Sequence, residues 1–140
     1  MKICREGLTM NDGDVEKPKK LMVVDDDIDI IALIETVLQG ENIEVTGVCR
    51  GLQCLEVLED VHPDALLLDI MMPGMDGWET FHKIKEKYSD LPVAILTAKD
   101  QEFDKMMGLE VLGADDYITK PFNVDEFISN IRSLLRTVDC

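Results

Sequence analysis

The stretch Ala65-Leu66-Leu67-Leu68-Asp69-Ile70-Met71-Met72-Pro73-Gly74-Met75-Asp76-Gly77 decides how this 140-residue chain folds. Its first half is a short apolar run, the pattern of a strand buried on both faces of a sheet. Pro73 and Gly74 then force the chain off the sheet. One carboxylate, Asp69, is left where the buried strand meets the loop. A second run, Leu21-Met22-Val23-Val24, ends in the same way on Asp25-Asp26-Asp27. In open parallel sheets ligands bind at the carboxyl ends of the strands. Two acidic clusters on that edge predict a divalent cation site and phosphoryl chemistry.

Outward from these runs, short strands and helices alternate. Strands are predicted over about 20–24, 44–48, 65–68, 92–96 and 116–119. Helices are predicted over about 27–39, 51–59, 77–87, 100–113 and from Asn123 to 136. Ile30, Ile31, Leu33, Ile34, Val37 and Leu38 form a helical stripe. Asn123 with Glu126 three residues on reads as a capping box, and Asp27 reads as a helix cap rather than a metal ligand. Alternation of this kind implies parallel pairing through right-handed crossovers. The expected fold is α/β, a doubly wound five-stranded parallel sheet in the order 2-1-3-4-5 with five helices. The first and third strands then meet at the switch point, where Asp25, Asp26 and Asp69 converge.

The length suits one domain with one core. Residues 1–19 are polar and aperiodic and read as a flexible tail, 20–137 as the folded domain and 138–140 as the C-terminal end. The net charge is −15, with nine basic and 25 acidic groups after residue 20. Such a surface repels nucleic-acid backbones and anionic lipid and favours cations and basic partner surfaces. No apolar run approaches the roughly 20 residues of a membrane span, and the N-terminus lacks a signal peptide's apolar stretch. A cytoplasmic protein with no direct nucleic-acid or membrane contact is expected. Cys4, Cys49, Cys54 and Cys140 form no Cys-x-x-Cys pair, and with only two histidines they argue against zinc. Reduced thiols are expected, with Cys49 and Cys54 partly buried.

Thr97 follows the fourth strand and Lys120 the fifth, on the same edge. Three carboxylates cannot all stay ionised there without a cation, and Mg2+ suits them as a hard ion that keeps water positions for phosphate oxygens. A lysine ammonium and a threonine hydroxyl can both meet phosphoryl oxygens. Asp69 is then the nucleophile of an aspartyl phosphate, with the charge of the transferring group held by metal and lysine.

Val23-Val24-Asp25-Asp26-Asp27, Leu67-Leu68-Asp69 with its loop, Ile95-Leu96-Thr97-Ala98 and Gly113-Ala114-Asp115-Asp116-Tyr117-Ile118-Thr119-Lys120-Pro121-Phe122 occur in this order at strand ends. In this the chain resembles the response-regulator receiver domains of two-component signalling, with their flavodoxin-like fold, and in length a single-domain chemotaxis-type regulator. The resemblance implies a phosphoacceptor rather than an enzyme. Asp69 takes phosphate from the phosphohistidine of a sensor histidine kinase or phosphotransfer protein. Asp25, Asp26, Asp69 and the Met71 carbonyl hold Mg2+, and Lys120 and Thr97 contact the phosphoryl group. Thr97 and Tyr117 form the switch that reshapes the face of the fourth helix, fifth strand and fifth helix toward a downstream protein target. The Lys120–Pro121 bond is expected to be cis. Met71 cannot orient an attacking water and Lys99 stands two residues after Thr97, so slow self-dephosphorylation is expected.

Two features depart from the pattern. Gly108-Leu109-Glu110-Val111-Leu112-Gly113-Ala114 carries one residue more than the spacing common in DNA-binding members. Of the charges that pair such members into dimers, Lys105, Asp115, Asp116 and Arg132 fit, but Asn130 stands where arginine is common. A monomer or a weak phosphorylation-dependent dimer is expected. The alternatives are a receiver fragment of a multidomain DNA-binding regulator and a haloacid-dehalogenase-like phosphatase with Asp25 as nucleophile. The phosphatase leaves Asp69 without a role and has Asp29 where its threonine belongs.

Overall fold

The computed structural model describes residues 17–70, 77–98, 114–120 and 122–136. Strand β1 is Lys19–Val24, followed by α1 (Ile28–Leu38), β2 (Ile43–Val48), α2 (Gly51–Val61) and β3 (Ala65–Asp69). Helix α3 (Gly77–Lys87), β4 (Val93–Ala98), β5 (Asp116–Lys120) and α4 (Val124–Arg136) complete the described elements. All neighbouring strands pair in parallel, in the order β2-β1-β3-β4-β5. This is the expected 2-1-3-4-5 order.

The helix count is corrected. The described residues hold four helices, not the five expected. The expectation counted 100–113 as a helix, and that stretch lies outside the described residues. So do residues 1–16 of the tail expected over 1–19, whose last residue, Lys19, opens β1, and residues 137–140, Met71, Lys99, Lys105 and Pro121.

The strand runs are apolar because both faces are covered. Leu66, Leu67 and Leu68 of β3 are fully buried, as are Met22, Val23 and Val24 of β1. Alternating residues of the strands serve two cores. Leu66, Leu68 and Ile95 pack with Cys54 and Leu58 of α2 and Phe81 and Ile84 of α3. Leu67, Ala94 and Ile118 pack with Ile31, Ile34 and Leu38 of α1 and Phe127, Ile131 and Leu134 of α4. Helices α2 and α3 therefore lie on one face and α1 and α4 on the other. Cys54 is buried and Cys49 is exposed, which corrects the partial burial expected of both.

Local chemistry sets the helix starts. Asp27 caps α1 by accepting from the Asp29 N–H at 3.0 Å. Asn123 caps α4 by accepting from the Glu126 N–H at 3.0 Å. Gly77 opens α3 for a steric reason: a Cβ there would lie 2.3 Å from Cα of Ile70. The α3 backbone thus rests directly on the backbone leaving β3, and this fixes both ends of the intervening loop.

Candidate phosphoryl and metal site

Asp25, Asp69 and Lys120 sit at the carboxyl ends of β1, β3 and β5. Side-chain alternation puts all three on one side of the sheet. Asp25 follows the phase of Leu21 and Val23, Asp69 that of Ala65 and Leu67, and Lys120 that of Ile118, the α1/α4 side. The Lys120 ammonium donates to Oδ2 of Asp69 at 3.2 Å and to Oδ2 of Asp25 at 3.4 Å. Asp25 is 0% and Asp69 3% exposed, whereas Asp26 is exposed. Oxygens of Asp25, Asp26 and Asp69 all lie within 4.8 Å of one another.

Asp25 is anchored from both sides. Its N–H donates to the Val48 carbonyl of β2 at 3.0 Å, and its Oδ1 accepts from the Asp27 N–H at 2.9 Å. Burial pushes its carboxyl up to about 6, assisted by the charge of Asp69 and opposed by the Asp27 N–H and the Lys120 ammonium. Burial works to lower the Lys120 ammonium, but the Asp69 and Asp25 carboxylates outweigh it and hold it above the usual lysine value. One ammonium thus faces three carboxylates, two of them buried. That imbalance, with an all-oxygen donor set, fits a hard dication such as Mg2+.

Thr97 and Tyr117 lie on the other side. Ile95 pairs in register with Tyr117, and Thr97 with Thr119. Ile95 and Tyr117 belong to the α2/α3 core, and Thr97 shares their phase. Thr97 is 2% exposed, and its Oγ1 has no hydrogen-bond partner among the described residues. A buried hydroxyl left so costs about 1–3 kcal/mol, and a phosphoryl oxygen would restore its bond.

The structure therefore brings Asp25, Asp26, Asp69 and Lys120 together, with Thr97 at the end of the neighbouring strand. Met71 lies outside the described residues. Two contributors were not evident from residue types. Val48 acts through its carbonyl, which carries no side-chain signal. Gly77 reads as part of an Asp-Gly turn, and only its approach to Ile70 shows what the missing Cβ is for.

The sequence profile of the response regulator receiver domain family matches residues 21–132. Among solved structures, a response regulator from Chloroflexus aurantiacus is 34% identical with a TM-score of 0.79, over 86% of this chain and 99% of that one. The BeF3-activated N-terminal receiver domain of RstA from Klebsiella pneumoniae is 32% identical with a TM-score of 0.77, over 84% of this chain and 99% of that one. NtrX from Brucella abortus is 28% identical with a TM-score of 0.80, over 86% of this chain but 27% of that longer one. A match from the first strand through the last helix leaves the dehalogenase-like reading without support. Family membership also implies a histidine kinase or phosphotransfer protein as phosphate source. The chain belongs to the response regulator receiver domain family, signalling domains that take up phosphate on an aspartate in a Mg2+-dependent reaction rather than turning over a substrate.

Proposed function

We propose that Asp69 is the phosphoacceptor, and that Asp25 and Asp26 join it in holding Mg2+ together with the Met71 carbonyl. The observation that carries this reading is the Lys120 ammonium bridging two buried carboxylates on adjacent central strands. Bound Mg2+ supplies charge neutralisation to the transferring group. The chain's own residues do the rest. An Asp69 oxygen attacks the phosphorus of a phosphohistidine, the P–N bond breaks, and the electron pair leaves on the imidazole. Lys120 exchanges part of its carboxylate contact for a phosphoryl oxygen, and the Thr97 hydroxyl donates to another. Withdrawal of Thr97 toward the phosphate frees space that Tyr117, on the same side of the sheet, takes up. The readout is the face of β5 and α4, offered to a downstream protein target.

The phosphodonor meets the edge where α1 begins. Ile28, 67% exposed and two residues after Asp26, offers apolar surface at the start of α1 that a helical partner can cover. The acidic surface disfavours nucleic acid as a direct partner, and no described helix is long and apolar enough to cross a membrane. Both fit a cytoplasmic regulator. A receiver within a multidomain regulator remains a second reading, favoured by the match to NtrX, whose chain extends well beyond the aligned part.

Intact-mass spectrometry with Mg2+ and acetyl phosphate tests the assignment. One phosphoryl group is expected on the native chain, none on Asp69→Asn and none in EDTA. The adduct is expected to outlast seconds, because Met71 offers no hydrogen bond to an attacking water. A modification that survives in Asp69→Asn refutes the assignment.

A further inference from the structure

Asp25 and Asp26 sit in the short turn that joins β1 to α1, and Asp27 ties that turn to both elements. Its N–H donates to Oδ1 of Asp25 at 2.9 Å. Its side chain accepts from the Asp29 N–H at 3.0 Å. Its carbonyl accepts from the N–H groups of Ile30 at 3.0 Å and Ile31 at 3.3 Å. The residue itself is extended (φ −93°, ψ 102°), so α1 starts only after it. The carboxylate oxygens that gather within 4.8 Å of one another belong to Asp25, Asp26 and Asp69, so Asp27 stands beside the metal site without being a ligand.

These contacts set the Asp25 carboxylate. Its main chain is held by the Val48 carbonyl at 3.0 Å. With Oδ1 on the Asp27 N–H, Oδ2 faces the Lys120 ammonium at 3.4 Å. Asp25 is 0% exposed, so bulk water cannot replace a lost donor. Any residue at position 27 would supply the N–H. What aspartate adds is the side-chain acceptor that fixes where α1 begins. Without it the helix can extend backward by one residue, which takes ψ of residue 27 toward about −42°. Ile31, Ile34 and Leu38 lock α1 into the core. The rotation must then be taken up on the strand side, by Asp26 and by the peptide whose N–H holds Asp25.

We propose that Asp27 is a positioning residue for the Mg2+ site. By capping α1 it aims its own N–H at Oδ1 of Asp25, and so holds the Asp25 and Asp26 carboxylates in the setting that a dication takes up. The inference rests on the assignment of Asp25 and Asp26 to the metal.

Calorimetric Mg2+ titration of the full-length, unphosphorylated chain tests it, at fixed pH and ionic strength and beside urea melts in EDTA. Asp27→Ala removes the acceptor, whereas Asp27→Asn keeps it and removes the charge. Asn123→Ala removes the matching cap of α4, which accepts from the Glu126 N–H at 3.0 Å, and leaves the turn after β1 intact. Asp27→Ala is expected to raise the Mg2+ dissociation constant about fivefold or more, Asp27→Asn about twofold at most, and Asn123→Ala not at all, although both alanine variants melt earlier. Phosphorylation of Asp27→Ala by acetyl phosphate should need more Mg2+ and reach the native rate once Mg2+ saturates. A native dissociation constant in Asp27→Ala overturns the proposal and leaves the metal site standing. Equal weakening in Asp27→Ala and Asp27→Asn overturns it in favour of simple charge attraction, and equal weakening in Asn123→Ala in favour of lost stability. Failure of the native chain to bind Mg2+ removes the site and the proposal together.

Discussion

Asp25 has two tasks that pull in opposite directions. It must be buried to fix the site, and it must be ionised to hold a cation. Its carboxyl stands near 6 in the folded chain against 3.8 ordinarily, chiefly through burial. The folded state therefore binds this proton more tightly than the unfolded state. The stability that the proton brings is fully present below about pH 4 and is lost as pH rises through 6. In EDTA, urea melts should show the native chain gaining about 1–3 kcal/mol between pH 8 and pH 5 relative to Asp25→Asn, in which the gain disappears. Saturating Mg2+ should stabilise the native chain at pH 8 and do so less at pH 5, where protons compete for the same oxygen. Thr97 carries a similar tension. Thr97→Ala removes a buried hydroxyl without a partner among the described residues. The unphosphorylated variant should be more stable by about 1 kcal/mol and should accept phosphate more slowly. Thermal melts beside phosphorylation time courses check both halves, and a variant that is less stable and equally fast contradicts the role given to this hydroxyl. The acids and Lys120 are legible in the sequence because strand ends mark them. Their excess of negative charge is legible too, but which of the carboxylates the fold buries, Asp25 and Asp69 rather than Asp26, is not.

Two glycines separate what an element tolerates from what it does not. At Gly77 an added Cβ would meet the Ile70 backbone at 2.3 Å, where nothing can rotate away. At Gly47 on β2 it would meet Cγ2 of the Ile31 side chain at 2.5 Å. Gly77→Ala should therefore cost about 2–3 kcal/mol or more and Gly47→Ala about 1 kcal/mol. Gly77→Ala should also weaken Mg2+ binding, because α3 holds one end of the loop that follows Asp69. Denaturant melts and Mg2+ titration read both effects, and equal costs at the two sites would mean that α3 is free to shift. Element positions were legible because the apolar runs and the Asp27 and Asn123 caps are local signals. Helix α2 runs to Val61, two residues beyond the predicted end, because His62 adopts the left-handed cap and donates its N–H to the Leu58 carbonyl at 3.0 Å. Nothing in a histidine's identity announces that conformation.

For the molecule as a whole, two of the charges that could join copies of the chain are engaged within it. Arg132 of α4 pairs with Glu41, in the turn between α1 and β2. Asp115 accepts from the Val93 N–H at 2.8 Å and from the Lys85 ammonium at 3.3 Å. Both pairs tie separate parts of the chain together, and the sequence could not show them, since their partners are 91 and 30 residues away. A dimer built on Arg132 and Asp115 must first loosen these contacts, and Asn130 offers no replacement charge. The exposed Arg132 pair is itself worth little, but the loss adds to the repulsion between two copies that each carry a net charge of −15. Sedimentation of the phosphorylated chain should therefore give a monomer, or a dimer no tighter than about 10 μM. Glu41→Gln, which frees Arg132, should strengthen any self-association, and added salt should strengthen it further by screening the net charge. A phosphorylated native dimer in the nanomolar range, unaffected by Glu41→Gln, would show that the chain pairs through a different surface.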